Sequence, residues 1–181
     1  MTVWNIDTAH TSAEFSARHM MITTVRGSIT NITGTVVFDP ANPAAASVEA
    51  TLDATTLVTG MADRDNHLKS PDFLDVANYP TITFKSTQVE PSADGNKARV
   101  TGDLTIRGVT RPVTMDVEFL GMGNSPFGDT RAGFTASTKI NREDWGLTWN
   151  MALEAGGVLV GKEIGITLDV EVIKVTEAAP A

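Results

Sequence analysis

Apolar and polar residues alternate along most of the chain, as in β-strands with one buried face and one solvated face. Residues 98–107 show this most clearly, with Val100, Leu104 and Ile106 set against charged and hydroxyl side chains. Further segments alternate in the same way, namely 46–55, 80–89, 112–119 and 163–172, and more weakly 11–18, 27–38 and 130–140. The pattern predicts about eight strands, with a short extra strand around Trp4–Asp7.

The turns between these segments favour antiparallel order. Asp94-Gly95-Asn96 and Gly108–Pro112 carry hairpin-turn residues. About eight antiparallel strands either close a barrel or stack as a sandwich. Closure removes exposed strand edges, and Gly27 and Gly34 suit the bends of a barrel wall. We therefore expect an all-β protein with an eight-stranded antiparallel barrel and short helical segments in the long loops.

Long breaks interrupt the alternation at 56–79 and 141–161, and a shorter one lies at 19–25. In the first break, Ser70-Pro71 predicts a helix start, with Ser70 as the N-cap and Pro71 at the first helical position. One helical turn is expected around Asn150–Ala155 and another within 19–25. Loops of such length in a compact domain are usually lids or binding loops.

Composition narrows the classes of function. The 181 residues fit one domain, predicted to span 1–175 and followed by a disordered tail at 176–181. The chain has no cysteine, which excludes disulfides and thiolate metal sites. A net charge of −8 disfavours nucleic acid and anionic membrane surfaces as partners. No apolar stretch is long enough to be an integral membrane segment.

The first ten residues contain no basic region followed by an apolar run. This predicts a cytoplasmic protein without a signal peptide. A chain trimmed of such a leader would have the same sequence, and the protein would then be periplasmic or secreted.

The residues on the apolar face decide whether a barrel would be hollow. Small side chains leave room, and empty core volume is costly unless something occupies it. Large residues from opposite strands could equally fill the space, so the pattern leaves both outcomes open. The small residues predicted on this face are Ala13, Ala17, Ala50, Ala54, Ser86, Gly102, Ala132 and Ala136. Met20, Met21, Met61 and Met151 all fall in the breaks, where flexible thioethers suit varied apolar partners or simply pack the barrel end.

The candidate chemistry is sparse. His10, His19 and His67 lack the spacing of a zinc motif, and no nucleophile elbow or phosphate loop is present. We therefore predict no catalytic residue, no metal site and no cofactor. Arg64, Asp65 and His67 form either a surface ion-pair cluster or a barrel-mouth cluster that meets a ligand head group.

Several stretches together resemble the YceI-like family. They occur in the family's order and cover nearly the whole chain. The stretches are WNIDTAHTSAEFSARHM at 4–20, GTVVFD at 34–39, RDNHLKSPDFLD at 64–75, GDLTIRGVTRPV at 102–113 and NREDWG at 141–146. Many members of this family are periplasmic and carry a signal peptide, which is not visible here.

The resemblance implies an extended lipocalin-like barrel that binds a long apolar chain, such as a polyisoprenoid or a fatty-acid-like lipid. It also implies a homodimer, since members are often dimers. Residues 61–75 would cross one barrel end, with Met61, Leu68 and Phe73 facing inward. The residues that match characteristic family positions are His10, Phe15, Arg18, His19, Arg64, Asp65, His67 and Leu68.

The candidate ligand-binding set adds inward or loop residues to these matches, namely Met20, Met61, Phe73, Phe84, Phe134 and Trp145. Three functions compete at this point. The protein is a lipid carrier or storage protein, an enzyme acting on a lipid or small apolar substrate at the barrel mouth, or a filled barrel serving as a stress-related interaction module.

Overall fold

The computed structural model describes residues 1–176, which form ten β-strands, one α-helix and four short 3₁₀ turns. The strands are β1 Thr2–Ile6, β2 Ser12–His19, β3 Thr23–Ile29, β4 Ile32–Phe38, β5 Ser47–Asp53, β6 Thr81–Pro91, β7 Lys97–Ile106, β8 Val109–Asn124, β9 Thr130–Asn141 and β10 Glu163–Lys174. The helix α1 is Ala62–Lys69, and the 3₁₀ turns are Thr8–His10, Pro43–Ala45, Ala54–Thr56 and Arg142–Trp145.

The strands close an eight-stranded antiparallel barrel, as predicted. The ring runs β1-β4-β5-β6-β7-β8-β9-β10, and β1 pairs back onto β10. β2 also pairs with β10, next to β1, and β3 pairs with β2. Ten strands therefore occupy eight positions around the barrel, because β1 and β2 share one position and β3 and β4 share the next.

The predicted single strand at 27–38 is in fact broken into β3 and β4. The break lies at Thr30 and Asn31, and Asn31 has a positive φ of 54°. Asparagine tolerates this left-handed conformation better than most residues. The prediction missed the break because the alternation of side chains continues on both sides of it.

The inward faces follow the alternation predicted from the sequence. Val100, Leu104 and Ile106 of β7 are buried, and so are Ile82 and Phe84 of β6. In β6 a bulge between Ser86 and Gln88 shifts the register by one residue. Such a bulge inserts one residue into a strand and lets it bend. Because of the bulge, Val89 faces inward and packs against the core. Without it, the alternation that places Ile82 and Phe84 inside would place Val89 outside.

The two ends of the barrel differ. At one end lie α1, the β2–β3 turn and the segment 147–161, and we call this the helix end. At the other end lie the β6–β7 turn at 92–96 and the β8–β9 turn at 125–129, and we call this the hairpin end.

The predicted helix start at Ser70 is wrong, since Ser70 is the C-cap of α1. Its backbone N–H donates to the His67 carbonyl, and its hydroxyl donates to the same oxygen. Pro71 follows the end of the helix, where a residue that cannot continue a helix is also common. The signals that do mark α1 are its charges, with Asp63 and Asp65 in the first turn and basic residues in the last.

The two other predicted helical turns are also wrong. Ala152 forms a β-bridge with Val158, and Glu154 and Ala155 belong to the turn at Gly156–Gly157 that lies between them. In 19–25, Met20 and Met21 have positive φ values of 50° and 63° and form the turn between β2 and β3. In both segments, hydrogen bonds to neighbouring extended backbone favour a turn over a helix.

The tail predicted at 176–181 lies, apart from Thr176, outside the described residues. Among residues 1–176, no helix has both the length and the apolar character needed to cross a bilayer.

Candidate functional site

A cavity of about 690 Å³ runs through the barrel. Its wall is formed by the inward-facing side chains of the strands, and most of these are aliphatic or aromatic. The wall reaches exposed residues at both ends, Met61 at the helix end and Lys97 at the hairpin end. The barrel is thus hollow, and the question left open by the sequence is settled in favour of a cavity.

Two features of the wall keep this space open. Ala13, Ala17, Ala50 and Ala136, four of the predicted small residues, line the cavity. The ring of Phe84 lies over Gly102, where an added Cβ would come 2.5 Å from the ring Cζ. A glycine in the neighbouring strand therefore lets a large aromatic ring lie along the wall.

Phe15 repeats this arrangement on the other side of the barrel. Its ring lies over Gly27 of the paired strand β3, at a place where an added Cβ would collide with the ring. Both phenylalanines line the cavity. Their rings therefore cover the wall and leave the centre of the lumen free.

Phenylalanines line the hairpin end of the cavity. The rings of Phe38, Phe119 and Phe134 form a mutual cluster with centroid distances of 5.1, 5.2 and 5.4 Å. Such tilted and edge-to-face contacts stabilise the cluster beyond its area burial. This end of the cavity offers almost purely apolar contacts.

The helix end combines aromatic and polar groups. His67 packs edge-on against Trp149 and Phe73, with ring centroids 4.5 and 5.1 Å apart. His67 Nε2 also lies 2.9 Å from Asp72 Oδ2, which fixes the imidazole orientation. The nearby Trp145 is buried and donates its indole N–H to the Leu104 carbonyl at 3.0 Å.

Eleven of the fourteen predicted binding residues line this cavity. They are Phe15, Arg18, His19, Met61, Arg64, His67, Leu68, Phe73, Phe84, Phe134 and Trp145. Their contact with a ligand stays a prediction. The structure does not bring His10, Met20 and Asp65 into the cavity wall. Met20 lies in the β2–β3 turn with 42% of its surface exposed.

Arg64 and Asp65 both bind Thr59, so the predicted polar cluster first of all holds α1 in place. Asp65 Oδ1 accepts from the Thr59 N–H at 2.8 Å and from its hydroxyl. Arg64 donates from Nε to the Thr59 hydroxyl at 2.7 Å and from Nη2 to the Thr59 carbonyl at 2.8 Å. Asp65 is committed to this contact, whereas Arg64 also reaches the cavity wall.

His10 lies in a separate cluster with Asp7, Glu171 and Arg131. His10 Nδ1 is 2.7 Å from Asp7 Oδ2, and Arg131 Nη1 donates to Asp7 at 2.8 Å. The hydrogen bond with His10 lowers the pKa of the Asp7 carboxyl, and the Ala9 N–H and the Arg131 charge lower it further. Asp7, His10 and Glu171 are close enough together to suit a metal ion, but the Arg131 guanidinium already binds both carboxylates.

Sequence reasoning missed Arg142, a buried arginine that lines the cavity at the helix end. Arg142 belongs to the stretch NREDWG, but no pattern in the sequence tells whether an arginine next to a strand end points inward. Its guanidinium carbon lies 5.7 Å from the centroid of the Phe73 ring.

Comparison with known proteins agrees with this architecture. A family model described as a YceI-like domain matches residues 4–172. The chain belongs to the YceI-like family. A protein named YceI from Escherichia coli O157:H7 is 42% identical over 138 residues, covering 76% of this chain and 71% of that protein. A UPF0312 protein of Pseudomonas paraeruginosa is 38% identical over 165 residues, covering 91% of this chain and 82% of that protein.

Solved structures show the same fold. BcnA of Burkholderia cenocepacia superposes with a TM-score of 0.79 at 26% identity, over 92% of this chain and 98% of that one. A polyisoprenoid-binding domain from Saccharophagus degradans superposes with a TM-score of 0.69 over 97% of this chain and all of that one. Its identity of 12% shows the shared fold alone.

Proposed function

We propose that this YceI-like barrel binds a long apolar chain, a polyisoprenoid or a fatty-acid-like lipid, inside its lumen. The observation that carries the proposal is the open cavity of about 690 Å³ with a mostly apolar wall. Pockets that enclose small molecules are usually of this order, about 300–1,000 Å³. An empty apolar space of this size would cost the fold contact energy that a guest hydrocarbon restores.

The shape of the lumen favours a chain-like guest. Twelve-residue strands such as β9, tilted as barrel strands are, span about 30 Å along the axis. Each buried CH₂ contributes about 0.8 kcal/mol, so one five-carbon isoprene unit contributes roughly 3–4 kcal/mol before the cost of ordering the chain. The structural relative from Saccharophagus degradans is described as polyisoprenoid-binding, which supports the same class of ligand here.

Within this function the protein serves as a carrier or a storage protein. The exposed methionines Met20, Met21, Met61 and Met151 lie at the helix end, and their unbranched thioethers adapt to varied apolar surfaces. This end is therefore the proposed route by which the ligand enters and leaves. The homodimer and the cytoplasmic location expected from the sequence stay predictions.

Catalysis at the barrel mouth is the second candidate, favoured by the pair of His67 and Asp72 beside the cavity. Such a pair can orient a general base. It also needs a nucleophile or a water molecule beside the imidazole, and the rings against which His67 packs, Phe73 and Trp149, supply none. Binding without chemistry thus accounts for more of the site. If the pair is catalytic, His67→Ala abolishes turnover of a lipid ester while lipid binding persists.

The proposal is tested by extracting the purified protein with organic solvent and identifying the released compounds by mass spectrometry. Ala136 lines the cavity, whereas the next residue, Ser137, is exposed on the outer face. Ala136→Trp is therefore expected to displace the long-chain compound, and Ser137→Trp is the matched control that retains it.

Circular dichroism and thermal melting establish that both variants fold. The proposal fails if the wild-type protein yields no long-chain compound and binds none that is added. It also fails if folded Ala136→Trp retains as much as Ser137→Trp.

A further inference from the structure

Arg142 is a positive charge placed deep in an otherwise apolar wall. It opens the 3₁₀ turn after β9, only 3% of its surface is exposed, and it lines the cavity at the helix end. Charged residues are almost never buried to this extent unless they are paired. A charge buried to this extent therefore needs a group of opposite charge to compensate it.

Within residues 1–176, the side-chain hydrogen bonds of Arg142 all go to backbone carbonyls. Its Nε donates to Gly161 at 2.9 Å, Nη1 to Leu147 at 2.5 Å and Nη2 to Val160 at 3.2 Å. A guanidinium carries five N–H donors, so two remain after these three bonds. The carbonyls hold the group in place and join the segment 147–161 to the barrel, but they carry no net negative charge.

No carboxylate forms an ion pair with Arg142 within residues 1–176. The nearest acidic neighbour in sequence, Glu143, instead pairs with Lys162 at 3.3 Å. Desolvation lowers the pKa of Arg142, opposed by the charge of Glu143. An arginine nevertheless stays protonated at neutral pH, because its ordinary pKa is above about 12. The cavity wall therefore carries a buried and permanent positive charge.

The other charged groups of the wall make the lumen asymmetric. Arg18 and Arg64 also line it at the helix end, and the exposed carboxylates of Asp63 and Glu14 are the opposing charges of the wall. At the hairpin end, the cluster of Phe38, Phe119 and Phe134 offers apolar contacts, and Lys97 is exposed at the rim. A protein with a net charge of −8 thus concentrates arginines at one end of its cavity.

We propose that Arg142 binds the oxyanion head of a long-chain ligand, a carboxylate or a phosphate, while the tail extends toward the phenylalanines of the hairpin end. The two free N–H groups of the guanidinium suit such a head, which accepts two bonds from an arginine. The inference rests on the proposed lipid-binding function and adds the orientation of the bound ligand, with its head at the helix end. Arg142 is then a specificity-determining residue. Its charge also disfavours a ligand that is bound with its apolar tail at the helix end.

The test compares ligands that differ only in the head group. Delipidated protein is titrated calorimetrically with palmitic acid and hexadecanol, and in a second arm with geranylgeranyl phosphate and geranylgeraniol. We expect the wild-type protein to prefer the charged ligand by about tenfold or more in at least one arm, as charge-assisted hydrogen bonds would give. The arm that shows the preference distinguishes a carboxylate source from a phosphate source.

Variants then assign the preference to Arg142. Arg142→Met is expected to remove the preference and to keep binding of the neutral ligand, whereas Arg142→Lys keeps part of the preference. Arg99 is exposed and pairs with Glu90 and Asp116 on the outer face of the barrel, so Arg99→Met is the matched control that removes one positive charge elsewhere. Retention of the full preference in Arg142→Met would overturn the inference.

A measurement on the wild-type protein keeps the inference testable if Arg142→Met does not fold. The carboxyl carbon of ¹³C-labelled palmitate is followed by NMR as the pH is changed. Burial alone raises the pKa of a carboxyl, whereas contact with the Arg142 guanidinium favours its ionised form, so the bound acid is expected to be ionised at pH 7. A bound carboxyl that is protonated at pH 7, or equal affinities for acid and alcohol together with equal affinities for phosphate and alcohol, refutes the role of Arg142 and leaves lipid binding intact. Binding of none of the four ligands refutes the proposed function itself.

Discussion

The ring of Phe84 lies directly on Gly102 of the neighbouring strand, so that an added Cβ would come 2.5 Å from the ring Cζ and 2.5 Å from the Lys85 carbonyl. The backbone of Lys85 cannot retreat without breaking the β6–β7 pairing. The pair Phe84 and Gly102 therefore determines how wide the cavity is at this level.

Gly102→Ala is expected to push the Phe84 ring into the lumen, to lower the free energy of unfolding by about 1–3 kcal/mol, and to weaken lipid binding. Urea denaturation and ligand titration measure the two effects. Gly133→Ala in β9 is the control, because its added Cβ would find only Leu120 at 3.8 Å. Equal stability and equal affinity of the two variants would contradict this account of the wall.

The anchor of α1 gives a second expectation. Asp65→Asn weakens the two hydrogen bonds that Asp65 accepts from Thr59, and so it loosens the start of the helix. Limited proteolysis is expected to cleave between residues 58 and 70 several-fold faster than in the wild-type protein. Asp63→Asn removes the other carboxylate of the first turn, which favours the helix only through its charge, and should raise the rate much less. A similar rate for both variants would show that Asp65 does not hold the helix.

A third expectation concerns the buried indole of Trp145. Trp145→Phe leaves the Leu104 carbonyl without its donor and should cost about 1–2 kcal/mol of unfolding free energy. Trp149→Phe, at a half-buried position beside His67, is the comparison. Thermal melting ranks the two variants, and a larger loss at Trp149 would argue against the importance of the buried hydrogen bond.

The cluster around Asp7 predicts how stability depends on pH. Because the folded state lowers the pKa of Asp7, the carboxylate contributes stability above its unfolded pKa of about 3.9, and this contribution is lost as the pH falls through the folded value. Asp7→Asn is therefore expected to be less stable than the wild-type protein at pH 7 and to approach it near pH 3. Urea denaturation between pH 7 and pH 3 measures the difference, and a difference that grows on acidification would contradict the sign.

Much of the fold could be predicted from the sequence because a barrel wall imposes a strict period of two. Val100, Leu104 and Ile106 face inward as the alternation requires. The errors fall where local preference and tertiary contacts disagree. Ser70 can cap either end of a helix, and only its bond to the His67 carbonyl identifies it as the C-cap rather than the N-cap. The inward orientation of the Arg142 side chain could not be predicted, since the three carbonyls that bind it lie 5, 18 and 19 residues away in the sequence.

The pairing of β1 with β10, with Trp4 opposite Lys174, joins the first strand of the chain to the last. During synthesis β10 is the last of the ten strands to leave the ribosome. Before that point the other strands can form only an open sheet, whose apolar face is exposed. The barrel can therefore close only after β10 has been made, and until then its apolar inner face is open to other molecules.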